Sequence, residues 1–217
     1  MSRPLLIVTA VEAEAAAVRA GLVDAPVTVV PVGVGPAIAA ANTARLLALA
    51  ETAGRPYRGV ISAGVGGGFP GRAAVGAVVL ATRSVAADLG AESPEGFLPI
   101  DALGMSPEQL GAPPAFSADP ALLAALRSAL PQAVAGAILT VSTVTGTADS
   151  AKLLADRHPD AVAEGMEGYG AACAAAGAGV PFAELRTISN PIGPRDRAAW
   201  RLREALAALT DAAAALR

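Results

Sequence analysis

A carboxylate at Glu167 and an amide at Asn190 sit within the stretch Ala161 to Arg197, whose residue pattern switches from strand to helix and back to strand. The pattern predicts a short strand ending at Glu164 or Gly165 and a helix from about Glu167. A second strand follows from Phe182 to Ser189, then a polar loop opening another helix. Met166 and Glu167 fall where the first strand meets its helix, and Asn190 falls just past the end of the second. In open parallel sheets such ends line the ligand crevice, so a carboxylate and an amide from successive strands should face one cavity. The carboxylate brings acid–base capacity, and the amide can both donate and accept hydrogen bonds. A second junction carries Glu12 and Glu14, where an apolar strand, Leu5 to Thr9, passes into the helical segment Val11 to Ala20. Acids there also favour the positive end of a helix dipole, which is the competing structural reading for each.

The elements that hold these residues can be followed along the chain. At 217 residues, the sequence fits one domain, residues 1–217, large enough to bury about 70% of the surface an extended chain exposes. Val27 to Val32 reads as a second strand, followed by Gly33-Val34-Gly35-Pro36 and a helix from Ala37 to Glu51. This is no dinucleotide fingerprint, because the third glycine is missing. Gly59 to Ala63 reads as a third strand ending in Ala63 to Gly71, where four of the five residues Gly64 to Gly68 are glycine. That segment is read as a loop wrapping a flat ligand or an anion, or else a wide turn into the strand Ala77 to Thr82. It is not a P-loop, since no Gly-Lys-Ser/Thr follows. Arg83 to Ala118 has little periodicity and is read as a lid, a binding loop or a subunit contact. Phe97 and Phe116 there offer apolar cover for a ligand in a chain with only 3% aromatic residues. A helix Pro120 to Leu130, a strand Ala137 to Val144, a helix Asp149 to Arg157 and a C-terminal helix Arg197 to Leu216 complete the set. The last carries an apolar stripe of Trp200, Leu202, Leu206 and Leu209.

Composition removes several classes of function. The net charge is -3 and the pI near 5.2, without the basic footprint of nucleic-acid binding. One Cys and one His argue against a disulfide framework and a zinc site; Cys173 is read as a small buried hydrophobe and His158 as a cap at a helix end. The mean hydropathy of +0.51 raises the membrane question. However, Pro26, Pro31, Gly33, Gly35 and Pro36 interrupt one long uncharged run, Pro131, Gly136 and Gly146 interrupt another, and the third is short and mostly Ala and Gly. With no basic segment ahead of the first apolar run, the expectation is a cytoplasmic protein that meets neither membrane nor nucleic acid.

Taken together, Glu12 and Glu14 after the first strand, GVGP after the second, AGVGGG after the third, GMEG at 165–168 and LRTISN at 185–190 resemble the purine nucleoside phosphorylase/nucleosidase superfamily over nearly the whole chain. The chain is most similar to the hydrolase branch that includes methylthioadenosine/S-adenosylhomocysteine nucleosidase. Within it, STVTGT at 142–147, DLGAE at 88–92, VPFAELRTISN at 180–190 and PRDR followed by Trp200 look like the futalosine hydrolases of the alternative menaquinone pathway. The resemblance implies an α/β fold, a three-layer α/β/α sandwich with a mixed central sheet. It also implies cleavage of an N-glycosidic bond by water without metal or organic cofactor, in a homo-oligomer such as a dimer.

Family positions assign the roles. Glu14, with Glu12 as the neighbouring alternative, aligns with the acid that activates water. Glu167 aligns with the carboxylate that accepts ribose hydroxyls, and Met166 with the residue packing on sugar and base. Asn190 replaces the Asp of adenine-specific nucleosidases; a side chain that donates N–H suits the N7 and O6 acceptors of hypoxanthine, although an Asn amide also pairs with adenine. Gly165 stands where the nucleosidases often have Glu, and Val65 where they have Ser, which leaves the backbone N–H groups of Gly66 and Gly67 for contact. Arg195 or Arg197 would meet the benzoate of a futalosine-type substrate. Arg186 would hold Asn190 or a carboxylate in place, and Thr145 and Phe97 complete the binding set. The alternatives are a methylthioadenosine/S-adenosylhomocysteine or aminofutalosine nucleosidase, a phosphorolytic purine nucleoside phosphorylase, and a nucleoside-binding module without activity.

Overall fold

The computed structural model describes residues 3–22 and 26–216. Its elements in chain order are β1 (Leu5–Thr9), α1 (Glu12–Gly21), β2 (Val27–Pro31), α2 (Pro36–Thr52), β3 (Gly59–Gly68), β4 (Val78–Ala86), β5 (Gly90–Ser93), β6 (Gly96–Pro99), a 3-10 turn at Ile100–Leu103, α3 (Pro107–Leu110), β7 (Ala115–Ser117), α4 (Pro120–Ala129), β8 (Val134–Thr140), α5 (Ala148–Arg157), β9 (Ala161–Gly165), α6 (Gly168–Gly177), β10 (Phe182–Pro191), a 3-10 turn at Arg197–Ala199 and α7 (Leu202–Ala214).

The unbroken apolar run of β1 is explained by what covers it. Side chains alternate across a strand. Leu5 and Ile7 pack with Val18 of α1, Leu126 of α4 and Leu209 of α7, while Leu6 and Val8 pack with Ala39 and Leu47 of α2 and Ala171 of α6. Both faces are covered, so neither tolerates polar residues. Helices α1, α4 and α7 therefore form one outer layer and α2 and α6 the other, around a mixed sheet, as the resemblance implies. The small residues of α6 let it lie close to α2, with a Cβ at Gly170 falling only 2.1 Å from the carbonyl oxygen of Pro36.

Strand β1 lies parallel between β2 and β3. Beyond it the sheet does not stay open, as the crevice reading assumed. β3 runs parallel to β10, β10 pairs antiparallel with β4, β4 pairs with β8, β8 with β9, and β9 returns antiparallel to the last residues of β3. Five strands thus close a circuit. Register shifts fall between Ile188 and Asn190, between Ala81 and Arg83, and between Ala137 and Ile138; such bulges bend strands and raise their twist. The first of them lies directly before Asn190.

Four sequence expectations are corrected. The glycines from Gly64 to Gly68 are part of β3, not a loop. Their role is space: a Cβ at Gly66 would fall 2.6 Å from the Glu164 carbonyl oxygen, and one at Gly68 2.4 Å from that of Ala73. The segment from Arg83 to Ala118 is not one irregular lid, because it finishes β4, forms the β5–β6 hairpin and returns through β7 onto β4. The C-terminal helix begins at Leu202, so Trp200 belongs to the approach loop rather than to the apolar stripe, whose buried members are Ala205, Leu209, Ala212 and Ala213. Strand β8 ends at Thr140, which leaves Val144 and Thr145 in the loop ahead of α5.

Candidate active site

A cavity of about 280 Å³ opens where β3, β9 and β10 end and α1 begins. At one end of it stands Glu14, 4% exposed. As the third residue of α1, its side chain reaches back to backbone N–H groups just ahead of the helix. One oxygen accepts from the backbone N–H of Ala10 (2.9 Å) and Val11 (3.2 Å), and the other from Val65 N–H of β3 (2.9 Å). Helix start and strand therefore fix one carboxylate between them. Glu12, two residues earlier and so on a different face of the helix, instead pairs with Arg19 at the surface.

Glu167, 5% exposed, stands at the β9–α6 junction. Its Oε2 accepts from Arg186 Nη1 (3.0 Å) and from Met166 N–H (3.3 Å), and its Oε1 from Gly35 N–H (3.3 Å). Gly35 has φ 97° and leads into Pro36, the first residue of α2. The left-handed conformation, accessible to glycine, turns this N–H toward the acid, which is what the GVGP turn contributes.

Arg186 lies behind Glu167, 1% exposed. Its Nε donates to Glu184 (2.9 Å) and its Nη2 to Ser62 Oγ (3.2 Å), while Ser84 Oγ closes on the other oxygen of Glu184. Burial pulls a guanidinium pKa down, but the carboxylates of Glu184, Glu167 and Glu14 outweigh it and hold Arg186 above its ordinary value. Burial pushes the Glu184 carboxyl up against the attraction of Arg186. One cation thus serves three acids. A buried charge needs such partners.

At the other end, Asn190 follows the bulge in β10. Its Oδ1 accepts from Ser189 Oγ (2.8 Å) and its Nδ2 donates to Pro191 O (3.0 Å), leaving one amide hydrogen for a ligand. Gly66, Gly67, Met166 and Thr145 also line the cavity, and so does Arg195, whose guanidinium stacks over the Trp200 ring at 5.8 Å.

The structure therefore gathers Glu14, Glu167, Asn190, Gly66, Gly67, Met166, Thr145 and Arg195 around one space. Two expected binding residues lie elsewhere, and Arg186, behind Glu167 rather than on the cavity wall, holds that carboxylate instead of touching a ligand. Arg197 is exposed in the 3-10 turn, turned out because Asp196 caps that turn through Ala198 N–H. Phe97 lies on the β5–β6 hairpin under the guanidinium of Arg157, 4.3 Å away. Among the described residues, no group of three or more His, Cys, Asp or Glu side chains is arranged to hold a metal ion, and no helix is long and apolar enough to cross a membrane.

Residues 8–217 match the phosphorylase superfamily. This chain belongs to that superfamily. It is 56% identical to a futalosine hydrolase of Streptomyces coelicolor over 83% of this chain and 74% of that one. It is 45% identical to a futalosine hydrolase of Acidothermus cellulolyticus over the whole of this chain and 91% of that protein. Among solved structures, a methylthioadenosine/S-adenosylhomocysteine nucleosidase of Colwellia psychrerythraea, in complex with adenine, superposes with a TM-score of 0.84 at 23% identity, covering 100% of this chain and 95% of that one. This likeness fixes the superfamily fold.

Glu164, Val144 and Trp200 line the cavity without having been assigned to it from the sequence. For Glu164 a signal was available: it is an acid inside the strand AVAEG, all five residues of which are buried. Val144 was absorbed into the strand before it, and Trp200, though part of the family resemblance after PRDR, was placed in the apolar stripe of the C-terminal helix.

Proposed function

We propose that this chain hydrolyses the N-glycosidic bond of futalosine, releasing hypoxanthine and dehypoxanthine futalosine. The observation that carries the reading is the convergence of Glu14, Glu167 and Asn190 on one cavity, in a chain closely similar to two futalosine hydrolases. Water adds to the anomeric carbon as the bond to the purine nitrogen breaks. Glu14 accepts the proton of that water; a positioned base of this kind contributes about 10²- to 10⁴-fold. Glu167 accepts ribose hydroxyls, and its charge favours the oxocarbenium-like sugar. Asn190 gives a hydrogen bond from its remaining amide hydrogen toward the N7/O6 side of the leaving base, whose electron pair takes up a proton from solvent as Glu14 returns the one it accepted.

The wall that carries Arg195 and Trp200 supports a substrate with an aromatic carboxylate, since guanidinium pairs with carboxylate and stacks on flat rings. Other arginines that phosphate binding could use are occupied or remote. Arg72 donates to the carbonyls of His158 and Ala161, and Arg83 pairs with Asp160, so hydrolysis is favoured over phosphorolysis. The exposed apolar side chains Leu89, Leu98, Leu103 and Met105 support a self-contact through the segment around the β5–β6 hairpin, and we place the enzyme in the cytoplasm as a homo-oligomer.

The test is to incubate the protein with futalosine, aminofutalosine, methylthioadenosine and inosine, with and without phosphate, and to identify the released base. Hypoxanthine from futalosine at a phosphate-independent rate is expected. Release that requires phosphate would assign the chain to phosphorolysis, and no release from any of the four would leave a binding module. Asn190→Asp should shift preference toward the adenine-bearing substrates.

A further inference from the structure

Glu184 is a buried acid for which the mechanism above has no use. It lies in the middle of β10, 1% exposed, two residues before Arg186 and so on the same face of the strand. Its Oε1 accepts from Arg186 Nε at 2.9 Å, and Ser84 Oγ of β4 closes on Oε2. Beside it stands Gly168, the first residue of α6, where a Cβ would fall 2.1 Å from Oε2, 2.2 Å from Oε1 and 2.3 Å from Cδ. The second glycine of GMEG is therefore the space that this carboxylate occupies. Burial pushes the carboxyl up, and Arg186 and Ser84 pull it back. The start of α6 adds to that pull, since the positive end of a helix favours an anion.

What such an acid could do follows from Arg186. Its Nη1 meets Glu167 Oε2 at 3.0 Å and its Nη2 meets Ser62 Oγ at 3.2 Å, so it orients the carboxylate assigned to the ribose hydroxyls. The same guanidinium carries a positive charge that it cannot give up, directly behind the acid that faces the sugar. Left uncompensated, that charge would oppose the positive charge developing on the sugar. Glu167 cannot cancel Arg186 and favour the sugar in full at once. Glu184 meets the guanidinium at Nε and leaves Nη1 to Glu167, so the two acids share one cation from different edges.

Resting on the reading of this cavity as a nucleosidase site, we propose that Glu184 is a positioning residue that holds Arg186 at Nε and cancels its charge, so that Arg186 orients Glu167 without repelling the oxocarbenium-like sugar. Counted as three contacts of ~4 Å, through Arg186 and Glu167, its carboxylate lies at most about 12 Å from the sugar; at an effective dielectric constant near 20, a unit charge at that separation changes the binding of a cation roughly tenfold. A neutral ligand is indifferent to it. Charge and packing are separable on this point, because a loss of packing weakens cationic and neutral ligands alike.

The experiment measures the affinities of two ligands that cannot be cleaved: 9-deazainosine, which is neutral, and its analogue with an imino group in place of the ribose ring oxygen, which takes up a proton and mimics the cationic sugar. Glu184→Gln keeps an acceptor for Arg186 Nε and offers Ser84 a donor, but removes the charge. The expected result is a cationic-to-neutral affinity ratio at least ~10-fold smaller than in the wild type, with a similar fall in kcat for futalosine and little change in KM. Glu184→Asp, which keeps the charge, should stay within about threefold of the wild-type ratio. Glu184→Leu combined with Arg186→Met removes both charges of the pair, a replacement that buried ion pairs often tolerate, and should keep the wild-type ratio; this arm stands even if Glu184→Gln does not fold. An unchanged ratio in Glu184→Gln, or a ratio lost in the double variant, would overturn the role of Glu184 alone. A wild type inert toward futalosine would overturn the reading of the cavity with it.

Discussion

Gly64→Ala inserts a single methyl group between Glu14, the proposed water-activating acid, and the strand that holds it. The new Cβ would lie 2.6 Å from Glu14 Oε1 and 3.0 Å from both Glu14 Cδ and Arg186 Nη1, where ordinary contact begins at 3.4 Å. Arg186 is locked by Glu184, Glu167 and Ser62, so the Glu14 carboxylate has to give way. A retreat of roughly 1 Å lengthens its bonds to Ala10, Val11 and Val65, and a misplacement of that size costs about 10²-fold in rate. Overpacking costs about 1–3 kcal/mol, partly offset by the ~0.5–1 kcal/mol gained when glycine leaves a strand interior. A net loss near 1–2 kcal/mol corresponds to a fall in Tm of about 2–8 °C for a chain of this size. The assay is steady-state release of hypoxanthine from futalosine alongside calorimetric melting, with Gly177→Ala as control, since a Cβ there meets nothing within 4 Å. We expect the Gly64→Ala loss to fall in kcat with KM little changed, and the control to match the wild type. A Gly64→Ala protein with wild-type kcat would refute the claim that Glu14 acts from this position.

Glu14→Gln keeps the size of the acid but removes its basicity and sets an amide NH2 against one of the backbone N–H groups that now donate to it, so kcat should fall by about 10²- to 10⁴-fold with stability lower by about 1–3 kcal/mol; a loss of kcat under tenfold contradicts its role. Arg186→Met strands Glu167 and Glu184 without their cation, at a cost of about 3–5 kcal/mol, and an unchanged denaturation midpoint would show that the buried network carries little. Arg195→Ala should raise KM for futalosine by about tenfold or more while leaving inosine, which has no benzoate, unaffected; equal effects on both substrates would deny it the carboxylate. Burial raises the Glu164 carboxyl above its ordinary 4.5, so the folded protein holds that proton more tightly than the unfolded chain. Its contribution to stability is full below 4.5 and is lost as pH rises through the raised value. Glu164→Gln should therefore gain on the wild type across that window in urea titrations and then run parallel to it; a pH-independent difference contradicts the assignment, because the raised Glu184 is common to both proteins and cancels.

The parts of the fold governed by local pattern were legible. The run Leu5 to Thr9, the β9–α6–β10 unit and the placing of Glu14, Glu167 and Asn190 at strand ends all follow from hydrophobic periodicity and junction position. Glycine was the main source of error. Its abundance between Gly64 and Gly68 suggests freedom of backbone, but here it makes room for the carbonyl of Ala73 and for Glu14, Arg186 and the carbonyl of Glu164, the last three distant in sequence. Phe97 was assigned to a ligand because aromatics are scarce, a composition argument that carries no direction; the hairpin turns it toward Arg157. Arg186 was recognised as a holder of carboxylates, yet Glu184, the other acid it holds, could not be paired with it before Ser84 and Ser62 were seen closing the network.

The central claim is that water, activated at Glu14, displaces a purine bound at Asn190. Hydrolysis of futalosine in phosphate-free buffer prepared with ¹⁸O water, followed by mass spectrometry of both products, tests it directly. The account predicts unlabelled hypoxanthine and a single ¹⁸O on the anomeric carbon of dehypoxanthine futalosine, and no turnover above background in Glu14→Gln under the same conditions. A sugar product without the label, or a reaction that begins only when phosphate is added, would contradict it.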